Sequence, residues 1–498
     1  MLKTALLAAS IVALSPVAQA QHVQPNVVLI LADDMGWDLG AYGHPVNHTP
    51  HMDKLANTGQ KWTSFYVASG VCSPSRGALL TGRYPIRTGM YGKQSFVSVE
   101  NDPYGLPQNE ISLAEQLKSG GYTTGIVGKW HLGDSQVGYP TNHGFDYWYG
   151  IPMSNDAYKT FTLDLVQSEQ AKLRGDTAAL KERGRLVNHA NMNPEQKFWN
   201  SPVYEGYGHT TLRVVEQPMK QQDFTKNVVA KSIDFIQDNK NNPFFLYIPF
   251  GKPHVPLFPS DEFKGTTQGG AYGDSIAELD HSVGQIVNEL EKNDLRDNTI
   301  IIFMSDNGPW LPYKHNSGSS GFFENGKGST YEGGVRVPAI FNWQGHIASE
   351  TIRNIGSALD IFPTLATLTG TKLATDRVYD GFDITTTLLN STTPTRDYNA
   401  YFFKGEMKAY RKGSYKLHFD TVNFLNPKPE EKNTIRLFNI DIDTRERWNI
   451  ADQHPEIVEA LKAEAMAYDK TVVRADEPLF DKYIFEVIES QKTSATLN

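Results

Sequence analysis

The stretch Pro25-Asn26-Val27-Val28-Leu29-Ile30-Leu31-Ala32-Asp33-Asp34 is a run of apolar, partly β-branched residues that stops at two carboxylates. A continuous apolar run without alternation marks a strand covered on both faces, as in the interior of a parallel sheet. The acids sit at its C-terminal end, where open α/β sheets gather their binding sites. The same design recurs three times. Residues 122–127 run into Gly128-Lys129-Trp130-His131, residues 244–250 into Gly251-Lys252-Pro253-His254, and residues 298–304 into Ser305-Asp306-Asn307-Gly308. Helical patterns lie between them, at 49–58, at 113–117 (stopped by Gly120-Gly121), at 223–239 (broken by Asn241-Asn242-Pro243) and at 274–291. A short strand is expected at 65–67. This alternation predicts an α/β fold with a large, mostly parallel central sheet sandwiched by helices. Such a sheet brings polar residues that lie far apart in the chain into one cleft.

The flanking segments differ in character. Residues 1–20 read as a cleaved secretory signal: Lys3 supplies the positive end, residues 5–14 are apolar, and Ala18-Gln19-Ala20 is the cleavage site. That apolar stretch is too short to span a bilayer and no later one is long enough. The expectation is a periplasmic or secreted protein without a membrane span. The main domain is placed at 21–370. Within it, residues 157–222 are polar, with a helix at 168–185 and little strand pattern, and read as an insertion near the cleft. From residue 371 short antiparallel strands are expected at 395–403, 408–419 and 434–442, followed by a helix at 454–468. They predict a smaller C-terminal α+β domain over 371–498 with an antiparallel sheet.

Composition narrows the function classes. The 47 Lys and Arg against 56 Asp and Glu give a formal net charge of −9, which argues against nucleic acid as a partner. An anionic substrate would need basic residues gathered locally in a pocket. The single cysteine, Cys72, allows no internal disulfide, so stability must rest on a large core. The 8 Trp and 23 Tyr are compatible with sugar stacking, although most aromatics serve the core.

That cysteine lies in Cys72-Ser73-Pro74-Ser75-Arg76. Pro74 followed by Ser75-Arg76-Gly77-Ala78-Leu79-Leu80 reads as a helix start. A residue just before a helix faces unpaired N–H donors, which suit an oxyanion better than an inert core thiol. Nearby in the expected cleft, Asp33, Asp34, Asp306 and Asn307 offer only oxygen ligands. That is hard-cation chemistry, Ca²⁺ or Mg²⁺ rather than Zn²⁺. Singly, an Asp pair or an Asp-Asn-Gly sequence is more often a cap or a turn. Together, at strand ends beside the Cys72 loop, they favour a metal site.

Cys-x-Pro-x-Arg is the sequence that formylglycine-generating enzymes read, and here the chain resembles a type I, formylglycine-dependent sulfatase of the alkaline phosphatase superfamily. The matching motifs run along nearly the whole of it: Gly-Lys-Trp-His-Leu-Gly at 128–133, Lys-Pro-His-Val-Pro at 252–256, Gly-Lys-Gly-Ser-Thr-Tyr-Glu-Gly-Gly at 326–334, Thr81-Gly82-Arg83, His143-Gly144-Phe145-Asp146, Leu359-Asp360 and Asp380-Gly381-Phe382-Asp383. The pattern is similar to the arylsulfatase A and galactosamine-6-sulfatase branch, and so to marine bacterial polysaccharide sulfatases. The resemblance implies an alkaline-phosphatase-like fold and a metal, calcium or else magnesium, held by Asp33, Asp34, Asp306, Asn307 and the modified Cys72. Ser154 falls where that branch has a sulfate-proximal serine, and Asn155 where a histidine is common.

The implied catalytic set is Cys72, Arg76, Lys129, His131, His254 and Lys327. Cys72 is oxidised to formylglycine by a formylglycine-generating enzyme or an anaerobic maturase. One oxygen of its hydrate attacks sulfur, His254 with Lys327 protonates the leaving alcohol, and His131 takes the proton that lets the hydrate collapse. Lys129 and Lys327 clamp sulfate oxygens, where cations meet the developing charge. The expected substrate is a sulfated oligo- or polysaccharide, first a carrageenan or related marine galactan. A glycosaminoglycan or aryl sulfatase is the second reading and a phosphonate monoester or phosphodiester hydrolase a third. An inactive glycan-binding member is opposed by the complete catalytic set. His189, Asn191, Arg185, His209, His315 and Arg353 are loop or insertion residues placed to meet sugar hydroxyls or a neighbouring sulfate.

Overall fold

The computed structural model describes residues 24–208, 210–390, 396–420 and 434–496. The expected signal segment and His209 lie outside the described residues. The main sheet is built from β1 (Asn26–Ala32), β2 (Gln60–Tyr66), β3 (Thr123–Lys129), β4 (Tyr147–Ile151), β5 (Val203–Tyr207), β6 (Arg213–Glu216), β7 (Phe244–Pro249), β8 (Thr299–Ser305), β9 (Arg336–Asn342), β10 (Glu350–Ile352) and β11 (Gly356–Ser357). Across the sheet the order is β10-β2-β9-β8-β1-β7-β3-β4-β5-β6, with β11 also on β2. The central five, β8-β1-β7-β3-β4, are parallel. β9 runs antiparallel between β8 and β2, and β5 and β6 close the far edge antiparallel.

β1 shows why its sequence does not alternate. All seven of its residues are buried. Val27, Leu29 and Leu31 join a core with Leu79, Leu113, Leu117 and Ile361, from helices Cys72–Thr81, Leu113–Lys118 and Ile361–Thr369. Val28, Ile30 and Ala32 face the opposite core, with Leu55, Val228, Ile276 and Leu279 from helices Pro50–Thr58, Gln221–Asn239 and Gly270–Lys292. Each face needs apolar side chains because helices cover both. Full burial of one such side chain stabilises by about 1.5–3 kcal/mol. The expected mostly parallel sheet between two helical layers is thus the observed one.

Three local expectations are corrected. Residues 157–222 do contain strands: β5 and β6 extend the main sheet after two helices, Leu165–Leu173 and Thr177–Met192, where a single helix was expected. These edge strands are half-exposed, so their sequences lack the apolar run of the interior. The helix at Cys72 starts two residues before Pro74, with Val71 as its N-cap. Proline is tolerated there because no first-turn N–H has an intrahelical partner. The stretch 408–419 is two strands of a hairpin rather than one, turning at Gly413, whose φ of 53° glycine adopts without penalty.

That hairpin belongs to a separate four-stranded antiparallel sheet of β12 (Tyr398–Phe403), β13 (Glu406–Lys412), β14 (Tyr415–His418) and β15 (Arg436–Asn439), in that order. Helix Pro455–Thr471 packs on it through Val458, Leu461 and Ala465, in a core shared with Ala78, Tyr84 and Ile86 of the main layer. A buried charge cluster ties the two sheets. Glu332 accepts from Lys416 Nζ at 2.8 Å and from Arg336 at 3.0 Å, and Glu446 takes the Glu332 backbone N–H at 2.6 Å.

Candidate active site

The C-terminal ends of β1, β7, β3 and β8 meet at one point. Asp33 N–H still bonds the Lys252 carbonyl and Asp306 N–H the Ala32 carbonyl, both at 3.0 Å, so the sheet ladder fixes the loops where they leave it. Consecutive side chains of an extended strand point to opposite faces. Asp34 breaks that rule with φ 59°, a left-handed conformation that Asp tolerates, and both carboxylates approach the same sulfur. Cys72 Sγ lies 3.6 Å from Asp33 Oδ1 and 3.8 Å from Asp34 Oδ1.

The donor atoms of Asp33, Asp34, Cys72 and His254 all lie within 4.8 Å of one another. Asn307 donates its Nδ2 to Asp34 Oδ1 at 2.7 Å, while its own Oδ1 is buried without a hydrogen-bond partner. A buried carbonyl oxygen left unpaired is costly, and a hard cation beside the Asp33–Asp34 pair would satisfy it. The carboxylate of Asp306 accepts from Asp34 N–H at 3.1 Å and from Arg76 Nε at 2.9 Å, and it forms an ion pair with Arg76 Nη2 at 2.8 Å.

The cations close the other side. Arg76 lies one helical turn after Cys72, so both face the acids, and it also donates to the Lys129 carbonyl at 3.1 Å. Lys129 Nζ is 2.5 Å from Asp33 Oδ2 and 3.1 Å from Ser154 Oγ. Lys327 Nζ is 2.7 Å from Asp34 Oδ1. His254 Nε2 is 3.4 Å from Asp34 Oδ2, and its Nδ1 meets the Val255 carbonyl, which makes Nδ1 the N–H donor. His131 is buried with Nδ1 unpaired.

Burial and charge set the protonation states. Burial pushes the Asp33 carboxyl up, but Lys129, His254, Arg76 and Lys327 outweigh it and hold it well below the carboxylate range. Asp306 is raised to about 6 by burial and by the Asp33 charge, against Arg76. This repulsion between buried carboxylates is what a cation relieves. Burial, then Asp306 and Asp33, push the Cys72 thiol well up despite Lys327 and Lys129. As a plain cysteine it would therefore be a neutral, weak nucleophile. Burial, then Lys129 and Arg76, hold His131 well below its usual value, so it is a neutral base. Burial lowers His254 as well, against the pull of Asp34.

Ser154 and Asn155 are buried at the Lys129 side, and Asn155 Nδ2 reaches the His254 carbonyl at 3.4 Å. The remaining sugar-contact candidates scatter. Arg185 and His189 lie on an exposed helix face, where the Arg185 guanidinium is paired with Glu182 at 2.6 Å. His315 is exposed beyond Tyr313, and Arg353 is exposed just after β10 at the sheet edge. Asn191 is buried, and its amide is spent on Tyr313 Oη at 2.8 Å. Sequence reading missed Ser75, whose Oγ donates to the Asp306 carbonyl at 2.5 Å, although it stands inside the Cys72 motif. It also missed Trp310, three residues after Asn307, whose ring lies 5.4 Å from that of His254 and 4.5 Å from Lys327 Nζ.

A family model described as Sulfatase matches residues 25–371. An arylsulfatase of Hemicentrotus pulcherrimus is 38% identical over 411 residues, covering 81% of this chain and 69% of the relative. An N-acetylgalactosamine-6-sulfatase of Rattus norvegicus is 37% identical over 423 residues, covering 82% and 74%. Among solved structures, Ps i-CgsB in complex with k-i-k-neocarrahexaose superposes with a TM-score of 0.72 at 29% identity, covering 91% of this chain and 94% of that one.

Proposed function

The chain belongs to the sulfatase family and is a sulfuric ester hydrolase, and from that premise we propose that it is an exported enzyme that desulfates a sulfated carbohydrate, in the first place a carrageenan or related marine galactan. The observation that carries this reading is the convergence of Arg76, Lys129, His254 and Lys327 on Cys72 and the Asp33–Asp34 pair. The galactan is supported by the likeness to a sulfatase solved with neocarrahexaose. The similarity to N-acetylgalactosamine-6-sulfatases favours a glycosaminoglycan as the second reading. Among the described residues no helix is long and apolar enough to cross a membrane.

Asp33, Asp34, Asp306 and Asn307 would hold calcium, with magnesium as the alternative, and the ion would neutralise charge on a bound sulfate. Cys72, matured to formylglycine by its generating enzyme or an anaerobic maturase, would supply a hydrated aldehyde as the nucleophilic oxygen. The protein's own groups do the rest. Lys129 and Lys327 bind sulfate oxygens with donors that have no acceptor capacity. Arg76, held on Asp306, orients the helix start beside them. His254 has its Nδ1–H fixed on the Val255 carbonyl, so Nε2 is the atom that exchanges a proton; it delivers one to the leaving alcohol when the ring enters as the imidazolium, the form that the Asp34 carboxylate favours against burial. His131, kept neutral, accepts a proton at its free Nδ1.

The test is sulfate release from defined carrageenan and glycosaminoglycan oligosaccharides, by enzyme made in a formylglycine-competent host. Turnover of a carrageenan oligosaccharide that is lost in Cys72→Ala is the expected result. Hydrolysis of bis-p-nitrophenyl phosphate without any sulfate release would favour a phosphodiester or phosphonate monoester hydrolase instead.

A further inference from the structure

Trp310 sits where two catalytic groups meet. Its ring centroid is 5.4 Å from that of His254 at an interplanar angle of 50°. Lys327 Nζ stands 4.5 Å from the same centroid. The backbone joins these parts, because Lys327 N–H bonds the Pro309 carbonyl at 2.9 Å. On its remaining side the indole meets Tyr313 edge-on, with centroids 4.8 Å apart at 89°. Tyr313 Oη accepts from Asn191 Nδ2 at 2.8 Å, and Asn191 is buried near the end of helix Thr177–Met192. A continuous chain of contacts therefore runs from a helix of the polar insertion to the active site.

We propose that Trp310 is a positioning residue for sulfate-ester hydrolysis, fixing the separation of His254 and Lys327, and that the insertion helix holds its ring in place through Asn191 and Tyr313. Lys327 has a long flexible stem and a strong alternative partner in Asp34 at 2.7 Å. An aromatic face beside the ammonium offers a second attraction that does not compete for its hydrogen bonds. It keeps the amine at the pocket wall, where a sulfate oxygen can take one of its protons. The same ring blocks rotation of the His254 imidazole, whose Nδ1 is already held by the Val255 carbonyl. Trp310 exchanges no proton and touches no reacting atom, so its contribution belongs to geometry reached in the transition state. This also gives Asn191 a purpose other than sugar binding.

The experiment compares Trp310→Leu, Trp310→Phe and Tyr313→Phe with the wild type, on the oligosaccharide of the carrageenan and glycosaminoglycan panel that the wild type desulfates. Trp310→Leu should lose about tenfold or more in kcat with little change in KM, the loss expected from a desolvated cation–π contact. Trp310→Phe should recover most of that loss, because it restores an aromatic face. Melting temperatures should stay close to the wild-type value. Wild-type kcat in Trp310→Leu, or a phenylalanine variant as poor as the leucine one, overturns the proposal. Should the leucine variant fail to fold, Tyr313→Phe carries the test by removing only the hydroxyl that Asn191 holds. It should lose about two- to fivefold in kcat, and wild-type kcat there overturns the proposal equally. A wild type that releases sulfate from no member of the panel contradicts the substrate class instead, an outcome separate from the variant comparison.

Discussion

Lys129 Nζ lies 2.5 Å from Asp33 Oδ2, and neither side chain has any exposed surface. Removing the amine leaves a buried carboxylate whose remaining ion-pair partner, Arg76, stands 3.5 Å away, with Lys327 and His254 also near. Breaking such a pair costs about 3–5 kcal/mol of stability. In the proposed sulfate clamp it also deletes one donor, worth about 10²–10³ in kcat. Lys129→Met should show both effects, in urea denaturation and in a sulfate-release assay. A variant that is destabilised but turns over normally would remove Lys129 from the sulfate clamp.

Metal removal should act on folding as well as on turnover. With Asn307 Oδ1 unpaired and the Asp306 carboxyl raised to about 6 beside ionised Asp33, the apo site carries unsatisfied charge and polarity. EGTA should lower the melting temperature, and added Ca²⁺ should restore it. A ligand at a hundred times its dissociation constant stabilises by about 2.7 kcal/mol. Asn307→Leu should weaken that calcium-dependent rise. A chelated protein that melts and turns over like the untreated one would contradict a cation site here.

Glu332 holds the two sheets together from a fully buried position, with Lys416 at 2.8 Å and Arg336 at 3.0 Å. Glu332→Gln removes the counter-charge of Arg336 and leaves Lys416 only Glu446, at 3.0 Å, and should cost about 3 kcal/mol. The measurement is the urea midpoint at unchanged slope, which reads stability and not compactness. Loss below about 1 kcal/mol would show that the contact between the sheets does not depend on this charge.

The same residue sets an acid dependence. Burial pushes Glu332 up, but Lys416, Arg336 and Arg411 outweigh it, so its folded pKa is depressed. In the unfolded chain a glutamate titrates near about 4.3. The unfolded state then binds more protons in the window below that value, so stability rises with pH there. The contribution of Glu332 is present above the unfolded pKa and is lost as pH falls towards the folded one. Unfolding free energy should fall less steeply in acid for Glu332→Gln than for the wild type. Parallel acid limbs would show that Glu332 is not ionised in the fold.

Much of the site was legible because its residues terminate strands that announce themselves. β1, β7 and β8 are apolar runs and β3 is a shorter strand-like stretch around Ile126-Val127, and each ends in the polar residues that the sheet then gathers. Strands β5 and β6 were not legible, since half-exposed edge strands carry neither an unbroken run nor a clean alternation. Nor was β9, which enters the sheet antiparallel between β8 and β2. Long-range partners leave no local trace at all. Lys416 meets Glu332 across 84 positions and Asn191 meets Tyr313 across 122, so neither pairing can be read from the sequence around either partner.

The proposed mechanism requires formylglycine as the nucleophile at position 72. Mass spectrometry of the tryptic peptide 62–76 from catalytically active protein tests it most directly. The peptide should carry an aldehyde, oxygen having replaced the sulfur and two hydrogens, and it should react with a hydrazide. A fully active preparation in which this peptide holds an unmodified, alkylatable thiol would contradict it.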